Sequence, residues 1–232
     1  MQIRLDDHLV ATTMRTPGND YELAVGFCFT DGALDGTPVL EVRYCGTGTA
    51  SSTEFNVVSV STGGRAPVPR PRLTPTTSSC GLCGSESVAE LRDRLRPLVD
   101  LAEFAPGLLA EAAQKVVSEQ SLFTITGGVH AAAAFSLDGA IHVVREDIGR
   151  HNAVDKVVGR LLLDGRLPAS QLGLFVSGRA SFEIVQKAWA AGFAAIVAVS
   201  APSSMAVEAA RAAGLTLAGF ARPGRMNIYA PV

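Results

Sequence analysis

"LGLFVSGRASFEIVQKAWAAGFAAIVAVSAPSSMAVEAARAAGLTLAGFA", residues 172 to 221, carries the architecture of this chain. Three apolar runs, LGLFV, AAIVAVS and LTLAGFA, are separated by two segments with apolar residues at helical spacing, and both segments end in Ala-Ala-Gly. Gly192 and Gly214 are the expected helix C-caps, since a left-handed terminal residue is least strained without a Cβ. Apolar strands alternating with helices predict a parallel sheet with right-handed crossovers and both faces covered.

The flanking sequence extends this pattern. "GRHNAVDKVVGRLLLDG" (149–165) places Val154, Val157, Val158, Leu161 and Leu162 at helical spacing, and Leu108, Leu109, Ala112 and Val116 predict another helix. "FTITGGVHAAAAFSLDGAIHVVRE" (123–146) predicts two strands joined at Asp138-Gly139. The first third reads as β-rich with one helix. "HLVATTM", "VLEVRYC" and "EFNVVSVS" are the strands, and the helix follows Asn19, with Glu22 completing a capping box. Residues 63–79 hold four prolines and little apolar periodicity, the composition of a linker or mobile loop. A helix with Val88, Leu91 and Leu95 on one face follows, opened by a Ser87–Glu90 capping box and stopped by Pro97. These shifts divide the chain into a β-rich subdomain (1–62), a loop with its following helix (63–97) and an α/β domain (98–232).

Apolar residues make up 47% and charged residues 18%, which excludes a disordered or fibrous chain. A net charge of -2 gives no global attraction to nucleic acid or an anionic membrane. The start lacks a signal-peptide pattern and no window approaches 18 uninterrupted apolar residues, so a cytoplasmic protein with neither nucleic-acid nor membrane partners is expected.

Of the four cysteines, Cys28 and Cys45 lie in apolar stretches and read as small buried hydrophobes. Cys80 and Cys83 form a C-x-x-C pair within "SSCGLCGSES" (78–87). A structural zinc site needs four ligands, yet only one knuckle is present and His8, His130, His142 and His151 show no paired spacing. A redox motif of the thioredoxin kind follows a strand and opens a helix, whereas this pair follows the proline-rich loop. "HAAAA" lacks the glutamate of zinc nucleobase deaminases. A third reading is an accessible nucleophilic thiol able to carry sulfane sulfur as a persulfide, with a neighbouring thiol to help release it. A zinc-binding module or a non-catalytic escort stands as the alternative.

In an open α/β sheet, ligands bind beyond the carboxyl ends of the strands. "SGRAS" (177–181), "SAPSS" (200–204) and "ARPGR" (221–225) leave strands there, the first two entering helix N-termini. With Arg179, Arg222 and Arg225, they form either a site for a phosphorylated or nucleotide-like ligand, or ordinary turns with solvated arginines. No G-x-G-x-x-G fingerprint between strand and helix and no P-loop occurs. "REDIGRHNAVDK" (145–156) concentrates Glu146, Asp147, Arg150, His151, Asn152, Asp155 and Lys156. Spacing alone fits a binding cluster, a solvated face or an ion-pair network.

Taken in order, "ELAVGF" (22–27), "SCGLCG" (79–84), "TGGVHAAA" (126–133), "EDIGRHNAVDKVVG" (146–159), "SGRASFEIVQKA" (177–188), "SAPSSMAVEAA" (200–210) and "GFARPGRMNIY" (219–229) resemble the formate dehydrogenase accessory sulfurtransferase family. The resemblance covers nearly the whole chain, although relatives generally have additional residues before the first strand. It implies a dimeric protein with a three-layer α/β core of mixed sheet, similar to the cytidine-deaminase fold, beside the β-rich N-terminal subdomain. It also implies a sulfur carrier that takes persulfide sulfur from a cysteine desulfurase. The sulfur passes to the molybdenum cofactor, in its bis-molybdopterin guanine dinucleotide form, needed by formate dehydrogenase. The family's persulfide carrier falls on Cys80, with Cys83 as its companion. The family's cofactor-binding stretch falls on Phe220, Ala221, Arg222, Pro223, Gly224 and Arg225. With Ser177, Gly178, Arg179, Arg150 and His151 these are the candidate cofactor-binding residues, and GDP is the expected mimic.

Overall fold

The computed structural model describes residues 1–44, 54–69 and 88–231. Cys45, Cys80, Cys83 and Ser87 lie outside them. Two mixed sheets and seven helices make up the described chain.

The smaller sheet runs β2 (His8–Thr12), β1 (Gln2–Leu5), β4 (Val57–Ser61), β3 (Glu41–Tyr44), with β1 parallel to β4 and the other pairs antiparallel. β1 was not among the expected strands. Only Ile3 and Leu5 of its four residues are buried, too short an alternation to stand out. Helix α1 (Asp20–Thr30) packs Ala24, Val25, Phe27 and Cys28 onto this sheet. The thiol of Cys28 is fully buried, as the sequence suggested, and burial raises its pKa far above the ordinary range.

The capping box expected at α1 does not form. Asn19 is left-handed (φ 56°) and its side chain accepts no cap hydrogen bond. The Glu22 carboxylate instead takes two hydrogen bonds from Arg145, Nε at 2.5 Å and Nη2 at 2.8 Å. A charge-assisted fork to an almost buried carboxylate is the stronger interaction.

The larger sheet runs β10 (Arg225–Ala230), β9 (Thr216–Arg222), β8 (Ala195–Ala198), β7 (Leu172–Val176), β5 (His130–Ser136), β6 (Ile141–Asp147). β7, β8 and β9 are parallel, linked by α6 (Phe182–Ala191) and α7 (Ser204–Ala213), while β10, β5 and β6 each pair antiparallel. Gly192 and Gly214 cap the two linking helices in left-handed conformation, as expected. Leu174, Val176, Ile196 and Ala198 face α5 (Arg150–Leu163), α6 and α7. The intervening Phe175, Ala195 and Val197 face α3 (Pro106–Ser118) on the other side. This period-two division yields the three-layer core.

Residues 123–126, expected to be strand, belong instead to helix α4 (Ser121–Thr126). Glu146 accepts hydrogen bonds from the N–H groups of Leu122 and Phe123, both at 2.8 Å, and left-handed Gly127 ends the helix. A distant carboxylate therefore supplies the N-terminal partner that a local pattern could not reveal. α2 (Val88–Arg94) buries Val88 and Leu91 as expected.

The two halves meet where α1 crosses α5. A Cβ added at Gly26 would lie 1.9 Å from the Asp155 carbonyl oxygen, and one at Gly159 would lie 1.9 Å from that of Glu22. The backbones are thus in direct contact.

Candidate functional site

The carboxyl ends of β7, β8 and β9 form one connected shelf. Val199 N–H donates to Val176 O (3.1 Å), Ser200 N–H to Gly178 O (3.3 Å), Ser203 N–H to Ala180 O (3.1 Å) and Phe220 N–H to Ser200 O (3.2 Å). Three loops widely separated in sequence are locked to one another through their backbones. Because β6 ends at this edge and leads into α5, the N-termini of α5, α6 and α7 open there together. Their free N–H groups and dipoles favour negative charge.

The polar stretch 145–156 divides in two. One half is a structural clamp. Lys156 Nζ lies 2.8 Å from Asp147 Oδ2 at 1% and 0% side-chain exposure, and also donates to the carbonyls of Thr16 (3.0 Å) and Glu146 (3.1 Å). Asp147 accepts from Gly149 N–H (2.9 Å), Asn152 Nδ2 (2.9 Å) and Thr16 N–H (3.1 Å), and Asn152 Nδ2 reaches Met14 O at 2.7 Å. Here the ion-pair reading is correct for Asp147 and Lys156. A second buried pair, Lys187 with Asp155, is completed by Thr30, and every charge in both has a partner. Burial raises the Asp155 carboxyl's pKa, while Lys187 and Thr30 oppose the shift.

The other half faces the shelf. Arg150 is 7% exposed at the first turn of α5, where a cation opposes the helix dipole. Burial and then the neighbouring Arg179 lower its pKa, with Glu183 opposing. His151 Nε2 lies 3.1 Å from Ser181 Oγ, and burial together with Arg150, Lys187 and His130 pushes its pKa down to about 3. It is therefore a neutral imidazole, and its 4.0 Å approach to Glu183 is not an ion pair. Ser177 Oγ accepts from Ala131 N–H (2.9 Å) and lies 3.4 Å from His130 Nδ1. Arg150, His151, Ser177, Gly178 and Arg179 thus come together as one electropositive cluster. His130 and Glu183 complete it. Sequence alone gives His130 no role, because its place beside Ser177 depends on the antiparallel pairing of β5 with β7.

The remaining candidates occupy the β9–β10 hairpin. Phe220, Arg222, Arg225, Met226 and Asn227 line a depression of about 300 Å³. Arg222 donates to the carbonyls of Val199 (2.6 Å) and Ala221 (2.8 Å), fixing its guanidinium against the shelf. Arg225 pairs with Arg222 through the ladder, and its exposed guanidinium has no hydrogen bond or ion pair with any described residue. Phe220 is 44% exposed at φ 54°, a strained conformation for a bulky residue. Ala221 is buried, and Pro223 and Gly224 make the turn. Among the described residues, no group of three His, Cys, Asp or Glu could hold a metal ion, and no helix is long and apolar enough to cross a membrane.

Known proteins share this whole arrangement of sequence. The sequence model of the FdhD/NarQ family matches residues 1–232. A Streptomyces coelicolor relative named sulfur carrier protein FdhD is 48% identical over 99% of this chain and 84% of its own. Relatives of the same name from Mycolicibacterium paratuberculosis and Corynebacterium efficiens are 46% and 41% identical over 99% of this chain, covering 87% and 86% of their own. The crystal structure of a candidate formate dehydrogenase accessory protein from Desulfotalea psychrophila superposes with a TM-score of 0.72. It is 24% identical, and the match covers 98% of this chain and 83% of that one. Matched over its full length, the chain belongs to the FdhD/NarQ family.

Proposed function

We propose that this protein is a sulfurtransferase of the carrier type, serving formate dehydrogenase from the cytoplasm as a homodimer. Cys80 thiolate attacks the terminal sulfur of a cysteine desulfurase persulfide. The sulfur–sulfur bond of the donor breaks, the desulfurase thiolate leaves, and Cys80 becomes the persulfide, with no net oxidation or reduction. The 63–97 stretch, which carries both Cys80 and Cys83 in its sequence, delivers the sulfur, and the 98–232 domain holds the acceptor, the bis-molybdopterin guanine dinucleotide form of the molybdenum cofactor.

The observation that supports this reading is the shelf itself. Arg150 and Arg179 stand together at the α5 and α6 starts with Glu183 beside them, and Arg222 and Arg225 line the depression on the β9–β10 hairpin. That arrangement suits the diphosphate groups of a guanine dinucleotide. The relatives bear the name sulfur carrier protein FdhD, and the proposal assigns the shelf to the acceptor of that sulfur.

Incubation with a cysteine desulfurase and cysteine is expected to add one sulfur atom at Cys80, read by mass spectrometry. Normal activation of formate dehydrogenase by Cys80→Ala would sink the mechanism. Stoichiometric zinc that is lost in Cys83→Ser would replace it with a metal-binding role.

A further inference from the structure

We propose that His130 is a binding group of this edge for a phosphate-type anion, and that it takes up one proton as the anion arrives. The inference rests on reading the edge as an anion site. β5 runs antiparallel to β7, so His130, its first residue, stands beside Ser177, the first residue after β7. Ser177 Oγ is held by Ala131 N–H at 2.9 Å and lies 3.4 Å from His130 Nδ1. Nε2 has no hydrogen-bond partner among the described residues and remains available as a donor.

Gly178 lies where the His130 ring and the Arg150 side chain come closest to the shelf backbone. A Cβ there would lie 3.3 Å from Arg150 Cδ and 3.4 Å from both Cε1 and Nδ1 of His130. Both side chains border one small region of the shelf. The other charges near His130 can be followed element by element. α5 contributes Arg150 and the neutral His151, the β7–α6 connection Arg179, and α6 Glu183 with Lys187 deeper. On β6, Asp147 pairs with His130 in the ladder, but its carboxylate is taken by Lys156, Gly149 and Asn152. Positive charge therefore dominates the region.

Burial, and then Arg150, lower the pKa of His130, so the free protein holds it neutral near pH 7. A permanent third cation would add to the repulsion between Arg150 and Arg179. An anion in the pocket reverses the local field and raises the His130 pKa. Binding then draws in a proton in the window between the free and bound values. Affinity falls as pH rises through that window, by at most about tenfold per pH unit for one proton. Below the free value His130 is charged in both states, and the dependence vanishes.

Sulfate is the probe, because it has no titrating proton near neutrality. The His130 ring signals, assigned by their loss in H130Q, are followed by NMR against pH with and without saturating sulfate. The His130 midpoint is expected to rise by about one unit or more. Sulfate affinity is expected to weaken several-fold from pH 6 to pH 8 in the wild type and to stay flat in H130Q, or in H130N if H130Q does not fold. An unmoved His130 midpoint in sulfate-saturated protein overturns the inference and leaves the anion site standing. Failure of both sulfate and GDP to bind overturns the reading of the edge, and the inference with it.

Discussion

Two charged regions lie at opposite faces of the first turns of α5, and they are built on opposite principles. On one face, Asp147, Asn152 and Lys156 are buried and fully satisfied, with the ion pair at 2.8 Å and further hydrogen bonds saturating both partners. On the other, Arg150 stands beside Arg179 and two neutral imidazoles, with Glu183 as the nearby carboxylate. A charge buried with its counter-charge holds structure together, and like charges gathered at helix N-termini are what the proposed anion site would use. The same short stretch of sequence supplies both.

This contrast is open to test. Asp147→Ala leaves Lys156 buried without its counter-ion and is expected to cost about 3–5 kcal/mol of stability, measured by urea unfolding. A loss below about 1 kcal/mol would mean that the clamp is no clamp. Arg225→Ala should do the reverse. Its stability should stay within about 0.5 kcal/mol of wild type. Its affinity for GDP should fall by roughly 1–3 kcal/mol in calorimetry. Unchanged affinity would move the guanine end off the hairpin.

A smaller effect concerns pH. His151 is held neutral when folded, with its pKa pushed down from 6.5 to about 3, whereas the unfolded chain protonates it in the ordinary range. The folded pKa is the lower one, so its contribution is intact above the unfolded value and is lost as pH falls from there toward the folded value. The loss approaches about 1.4 kcal/mol per pH unit. Comparing His151→Gln with wild type by thermal unfolding between pH 6 and 4.5 isolates this contribution. Parallel profiles would place His151 in contact with water.

The β7-to-β9 unit was legible because each element is long, apolar or strongly periodic, and glycine-capped. The elements that escaped notice lack these signals. β1 has four residues, and β10, an edge strand reading RMNIYA, buries only Ala230. α4 depends on the carboxylate of Glu146, a residue 24 positions from Leu122. The site followed the same rule. Arg179, Arg222 and Arg225 could be placed at the sheet edge because strand ends are visible in sequence. The division of the 145–156 stretch could not. Helical spacing puts Asn152 and Lys156 on one face, yet only the fold shows that this face meets residues 13–16 and that Arg150 meets the shelf.

The crossing of α1 and α5 leaves no room for gradual change. At most packed contacts, a larger side chain on one element can be accommodated by a smaller one opposite. At Gly26 and Gly159 that exchange is already exhausted, because each glycine meets backbone and the residue facing it has no side chain to give up. Any substitution at either position must move a whole helix, and with it the clamp on residues 13–16 and the first turn that carries Arg150. The orientation of the shelf is thus tied to two positions that lie outside it.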